Sequence, residues 1–119
     1  MKPQRHGIAR IIKATGFSVK GLRYAWKSES AFREEVVIGL LLVIAAFFVG
    51  KNNLEVALLI GTCFVVVIIE IINSAIEAVV DRIGSEHHEL SGAAKDMGSA
   101  AVFLSLALLI ITWALVLIN

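Results

Sequence analysis

Val65-Val66-Val67-Ile68-Ile69-Glu70-Ile71-Ile72-Asn73-Ser74-Ala75-Ile76-Glu77-Ala78-Val79-Val80-Asp81-Arg82 is the stretch whose reading decides the fold. It is apolar enough to enter a bilayer, yet polar side chains interrupt it at regular spacing. At about 100° per residue, Glu70, Asn73, Ser74, Glu77 and Asp81 fall within one face of a helix, and Ile, Val and Ala fill the rest. A polar group in a membrane helix costs about 2.5–3.5 kcal/mol on insertion scales. Drift rarely stacks several on one stripe. The stripe therefore faces protein, water or a bound ion, and is the first candidate for a site.

The rest of the composition agrees with a membrane class. The 119 residues are 58% hydrophobic with a mean hydropathy of +0.85, above the apolar share of soluble domains. The length allows a single domain, 1–119. The net charge of +1 hides an asymmetry, because Lys2, Arg5, Arg10, Lys13, Lys20, Arg23, Lys27 and Arg33 all precede residue 35. Such a basic arm suits an anionic membrane surface. Nucleic acid is the competing partner, but the arm's apolar face favours lipid. Cys63 is the one cysteine, so no intrachain disulfide can form and the redox compartment stays open. No signal peptide is expected.

Residues 1–7 read as a short disordered start. From there Ile8, Ile11, Ile12, Thr15, Val19, Leu22 and Trp26 recur at helical spacing, with Arg10, Lys13, Lys20, Arg23 and Lys27 opposite. That pattern predicts a surface helix, 8–27, lying in the membrane interface; the competing reading packs it on the other helices. Ser28-Glu29-Ser30 breaks the pattern, with Ser30 a possible cap for the next helix and Glu29 at the corner. Val36 to Val49 is uniformly apolar, only about 21 Å as a helix against about 30 Å of hydrocarbon. With its flanks it predicts a first span, 31–50.

Asn52, with Glu55 three residues on, resembles a capping box and opens a second span, 54–83. A helix starting there leaves hydrocarbon near Asn73 and Ser74. Glu70 then lies one turn inside the boundary, and Glu77 and Asp81 lie among headgroups. Gly84 is expected to end this helix and a loop to run to Lys95. The third span is expected over 97–118, with Trp113 as an interfacial anchor and Gly98, Ser99, Ala100 and Ala101 as a thin end admitting another helix. The positive-inside rule puts the N-terminus in the cytoplasm and Lys51 outside.

Carboxylates gathered at one interface repel one another unless a hard cation neutralises some. Magnesium is held by one or two carboxylates plus phosphate oxygens, and a nearby lysine can meet phosphate as a point charge. Cation, phosphate and lipid interface together suggest phosphoryl transfer to a lipid hydroxyl. Membrane carboxylates also serve proton relays, so the stripe alone leaves both open. No G-x-x-x-x-G-K-[ST] or G-x-G-x-x-G occurs, which excludes a glycine-loop phosphate site. His87-His88 could suggest a transition metal, but no further ligand spacing supports one.

The E-x-x-N-S-A-x-E-x-x-x-D core from Glu70 to Asp81 resembles the bacterial integral-membrane diacylglycerol kinases. So do Gly84-Ser85-Glu86, Lys95-Asp96-Met97-Gly98-Ser99-Ala100-Ala101-Val102, Arg10-Ile11-Ile12-Lys13-Ala14 and Ala31-Phe32-Arg33. The resemblance implies an all-α homotrimer of three-span subunits in the bacterial inner (cytoplasmic) membrane. Its members use MgATP to convert diacylglycerol to phosphatidic acid at active sites shared between subunits. By that likeness Glu70 is the general base, and Glu29 and Glu77 carry Mg²⁺ between the ATP phosphates. Asn73 orients Glu70 or a phosphate. Lys95 contacts phosphate, with Asp96 beside it in the nucleotide site unless it merely caps the third helix. Glu86, His87 and His88 fall on the nucleotide side, as do Arg10 and Phe17. Glu35 and Ser99, with Glu70 and Arg10, match positions along the lipid path.

More familiar members have Tyr-His at His87-His88, which leaves open which imidazole approaches the adenine. The expected function is diacylglycerol phosphorylation. The alternatives are an undecaprenol kinase of the same fold, a proton- or ion-conducting oligomer built on Glu70, and a membrane-anchored scaffold.

Overall fold

The computed structural model describes residues 6–84 and 88–119. Most of the expected N-terminal start and the roles expected of Glu86 and His87 fall outside them. Its elements are α1 (Ile8–Ser28), α2 (Ser30–Val49), α3 (Asn53–Ile83) and α4 (Glu89–Ile118). The break after α1 is one residue wide. Glu29 takes an extended conformation, donates its N–H to the Ala25 carbonyl, and starts α2 without a side-chain cap. Ser30 is thus the first residue of α2 and not its cap, contrary to expectation. The corner is held from the other side: Arg33 Nη1 donates to the carbonyls of Trp26 at 2.7 Å and Lys27 at 3.3 Å. A guanidinium satisfying the last carbonyls of a helix also complements the negative end of its dipole.

Amphipathic α1 keeps its apolar stripe uncovered. Ile8, Ile11, Ile12, Val19, Leu22 and Trp26 are exposed, whereas the small residue Ala25 is buried. The stripe does not pack on the other helices.

Asn52 opens α3 as the sequence suggests, its Oδ1 accepting from Glu55 N–H at 2.9 Å. The Glu55 carboxylate closes the cap one residue early, accepting from Lys51 N–H at 2.9 Å. Its second oxygen accepts from Asn119 Nδ2 at 2.9 Å, and Lys51 Nζ reaches the Val116 carbonyl at 3.4 Å. The start of α3 is thereby tied to the end of α4. The two helices run antiparallel, in register from Asn119–Glu55 through Trp113–Thr62 to Lys95–Asp81.

Trp113 is not an interfacial anchor. It is buried in the seam, and its indole Nε1 donates to Thr62 Oγ1 at 3.2 Å while the Thr62 hydroxyl donates to the Leu59 carbonyl at 2.8 Å. An indole N–H inside an apolar seam needs such a partner. Around it Ala46, Leu59, Cys63 and Val116 form the core.

Helix α4 begins eight residues before the expected span. His88 caps it, Nδ1 accepting from Leu90 N–H at 3.1 Å, so the expected loop to Lys95 is helical from Glu89. At the other junction Gly84 ends α3 in an extended conformation.

Helices α3 and α4 are long and apolar enough to cross a membrane, and 28% and 11% of their most apolar stretches are buried inside the chain. Core helices of a soluble domain would be mostly covered. Helix α2 is equally apolar over most of its 20 residues, but Arg33, Glu34 and Glu35 stand in its first turns. The exposed area is 8939 Å², whereas a compact monomer of this mass exposes about 6,300 Å². Much of the excess is Ile, Leu, Phe and Val side chain, a surface made for lipid or for other subunits.

Candidate functional site

The site begins at Glu70. With 31 residues, α3 is about 46 Å long, well beyond the roughly 30 Å of a hydrocarbon core. Glu70 stands just past the middle of α3, and Glu77 and Asp81 follow toward its C-terminal end. Glu70 is 6% exposed, covered by the meeting of α2 and α3. Across from it, Glu35 on α2 places its carboxyl group beside that of Glu70, and its Oε2 is buried without a hydrogen-bond partner. Of the three charged residues that make the start of α2 polar, Arg33 holds the corner and Glu35 faces the stripe.

Glu77, about two helical turns beyond Glu70, and Glu29, at the α1–α2 corner, both lie within electrostatic range of Glu70. Four carboxyl groups from three parts of the chain share one neighbourhood. Lys95, paired with Asp81, is also within electrostatic range of Glu77. Carboxylates so placed favour shared protons or a cation among them. Among the described residues no three His, Cys, Asp or Glu side chains converge into a ready cage. One or two carboxylates hold Mg²⁺ only when phosphate oxygens and water complete its shell.

Asn73 was expected to orient Glu70 or a phosphate. Its Nδ2 instead donates to Glu77 Oε1 at 3.2 Å, and its Oδ1 is buried without a hydrogen-bond partner. Gly98 of α4 lies directly beneath that oxygen, where a Cβ would collide with it. Ser74 Oγ is likewise buried and unpartnered. It lines a cavity of 320 Å³ between α1 and α3, walled by Gly21, Tyr24, Ala25, Glu29, Ala75 and Ala78 among others.

Lys95 extends from α4 to Asp81, Nζ to Oδ1 2.8 Å, with both side chains largely in solvent. Asp81 was seen in the sequence as part of the stripe and given no role. The structure makes it the resting partner of the lysine expected to meet phosphate. Asp96 lies inside α4, exposed, so it caps nothing. Ser99 is exposed beside buried Gly98. His88 spends Nδ1 on the α4 cap.

Arg10 and Phe17 stand on exposed turns of α1, about 27 and 17 Å along its axis from the corner. Within one chain they do not join the carboxylates. Lys20 Nζ sits 5.9 Å from the Phe17 ring centroid, which puts a cation on that stretch of the helix.

Chemically, carboxylates beside a lysine can meet a divalent cation and phosphate, and a buried carboxyl group can take a proton from an alcohol. The chain's relatives are named as kinases of a lipid alcohol. Residues 16–117 match the family model described as prokaryotic diacylglycerol kinase. The diacylglycerol kinase of Escherichia coli strain K12 is 57% identical over 111 residues, 93% of this chain and 91% of that one. Those of Haemophilus influenzae and Pseudomonas aeruginosa are each 46% identical, over 90% and 95% of this chain and 91% and 92% of theirs. With its described geometry and a match over most of its length, the chain belongs to the prokaryotic diacylglycerol kinase family.

Proposed function

We infer that the chain phosphorylates diacylglycerol to phosphatidic acid, using ATP, where the inner leaflet meets the cytoplasm. The observation that carries this is the setting of Glu70: a buried carboxyl group on the longest apolar helix, with the Glu35, Glu77 and Glu29 carboxyl groups around it. Glu70 takes the proton of the lipid's primary hydroxyl as that oxygen bonds to the γ-phosphorus. The bond from the γ-phosphorus to its bridging oxygen breaks, and ADP leaves. A carboxylate held at the edge of the apolar phase meets the hydroxyl of a lipid that never leaves the bilayer.

Glu29 and Glu77 are the residues that would hold Mg²⁺, which supplies neutralisation of the phosphate charge when bound. Asn73 fixes the Glu77 carboxylate through its Nδ2 bond. Lys95 exchanges Asp81 for a phosphate oxygen. Glu35 and Ser99 border the lipid path. Asp96, Glu86 and one of His87 or His88 serve the nucleotide side, and Arg10 and Phe17 belong to that side or the lipid mouth.

Three spans complete the topology, α2 crossing with α3 and α4. At 20 residues it is about 30 Å long, enough for the hydrocarbon core. Helix α1 lies in the interface on its uncovered stripe. The basic N-terminal arm faces the cytoplasm of a bacterial inner membrane and Lys51 the opposite side. A homotrimer covers part of the excess apolar surface and brings in the α1 residues that one chain leaves remote from the carboxylates.

The test is ADP release in mixed micelles with diacylglycerol and undecaprenol as separate acceptors. Turnover is expected with diacylglycerol. Turnover with undecaprenol alone would reassign the lipid, and turnover with neither would remove the kinase reading.

A further inference from the structure

The seam between α3 and α4 is closed at Gly98 in a way that neither the stripe nor the acidic cluster explains. Gly98 is buried, and a Cβ there would lie against Asn73 Oδ1. Glycine carries a helix-propensity penalty of about 1 kcal/mol relative to alanine. Its conformation here is ordinary helix, with no positive φ. What glycine supplies at this position is space alone. That space is occupied by the one carboxamide of the stripe. The Asn73 oxygen is buried above the Gly98 Cα without a hydrogen-bond partner, and its nitrogen donates to Glu77 Oε1 at 3.2 Å. A carboxamide is planar, so fixing its oxygen side over the glycine fixes where the nitrogen points.

We propose that Gly98 is a positioning residue: the missing side chain is a socket that seats the Asn73 carboxamide across the helix seam and so aims the Glu77 carboxylate at the metal–nucleotide. This rests on the reading of Glu77 as a magnesium carboxylate, and adds the device that orients it. With a methyl at position 98 the carboxamide must swing away, and Glu77 loses its donor.

The full chain is assayed in mixed micelles with MgATP and diacylglycerol varied separately. Gly98→Ala is expected to raise KM for MgATP about tenfold, the lower end for losing a hydrogen bond to a charged group, with KM for diacylglycerol unchanged. On an Asn73→Ala background the same substitution is expected to change KM for MgATP by less than about twofold, within the scatter of uncoupled sites. Equal effects on the two backgrounds, or an equal rise in both KM values, would overturn the proposal.

Thermal unfolding covers the case in which Gly98→Ala folds poorly. The Asn73→Ala/Gly98→Ala double variant is expected to regain the midpoint of Asn73→Ala alone, because alanine vacates the socket. A double variant as unstable as Gly98→Ala refutes the fit. Glu77→Gln separates the layers: unaltered MgATP binding in that variant removes the metal reading and with it the proposed purpose of the socket. The unfolding cycle tests the Gly98–Asn73 coupling independently of that reading.

Discussion

The bond between Trp113 and Thr62 lies in the same α3–α4 seam that brings Lys95 to Asp81 and Gly98 to Asn73, so its removal tests how the site is held. Both residues are buried, at 9% and 6% exposure. The Thr62 hydroxyl gives its proton to the Leu59 carbonyl and accepts from the indole, so the two possible deletions are unequal. Thr62→Val leaves a buried indole N–H without a partner, at a cost of about 1–3 kcal/mol. Trp113→Phe leaves a hydroxyl still bonded to its own helix and loses a net bond of about 0.5–1.5 kcal/mol, besides any packing change. Combining them spares the orphan donor, so the double variant is expected to be less damaged than the sum. The coupling should be about 0.6 kcal/mol and no more than about 1.7, the range for interhelical bonds in membranes. Equilibrium unfolding by a denaturing detergent added to mixed micelles, followed by far-ultraviolet circular dichroism, measures all three variants against the parent. Additive losses, agreeing within about 0.3 kcal/mol, would show that the bond does not lock the seam.

Two further outcomes follow from the carboxylates and the ion pair. Glu77→Gln is expected to weaken MgATP binding and to raise the Mg²⁺ concentration needed for half-maximal rate, read from initial rates across a magnesium titration; an unchanged titration would refute the metal role. Asp81→Asn is expected to lower KM for MgATP a few-fold, because Lys95 no longer has to leave a partner, whereas Lys95→Met raises it. The Asp81 effect stays small because the pair is largely exposed and such pairs are weak. A raised KM in Asp81→Asn would show that the aspartate serves the nucleotide directly.

Much of this was legible because membrane helices make polar residues conspicuous. Glu70, Asn73 and Glu77 could be placed on one face from spacing alone, and Asn52 announced the start of α3. Partners were harder to read. Asn73 could be seen to matter, but its choice of Glu77 depends on the room left by Gly98 across the seam, which is a tertiary fact. Trp113 suggested an interfacial anchor because tryptophan favours that zone, yet a threonine on the neighbouring helix gave its N–H a place inside. The early start of α4 was hidden by Gly92 and by polar side chains in its first turns, which resemble a loop in sequence. The signal that could have revealed it was Lys95 itself: a lysine that answers Asp81 on an antiparallel neighbour must already be on the helix.

The claim at the centre is that a carboxyl group at the dry edge of the site activates the lipid hydroxyl. Glu70→Gln keeps the size and most hydrogen bonding of that side chain and removes its basicity. Single-turnover phosphoryl transfer to diacylglycerol, measured by rapid quench beside equilibrium MgATP binding, tests it most directly. Transfer should fall about 100- to 10,000-fold, the range for a lost general base, while MgATP binding and particle size stay as in the parent. Transfer at the parent's rate, or a loss explained entirely by weaker MgATP binding, would contradict the account.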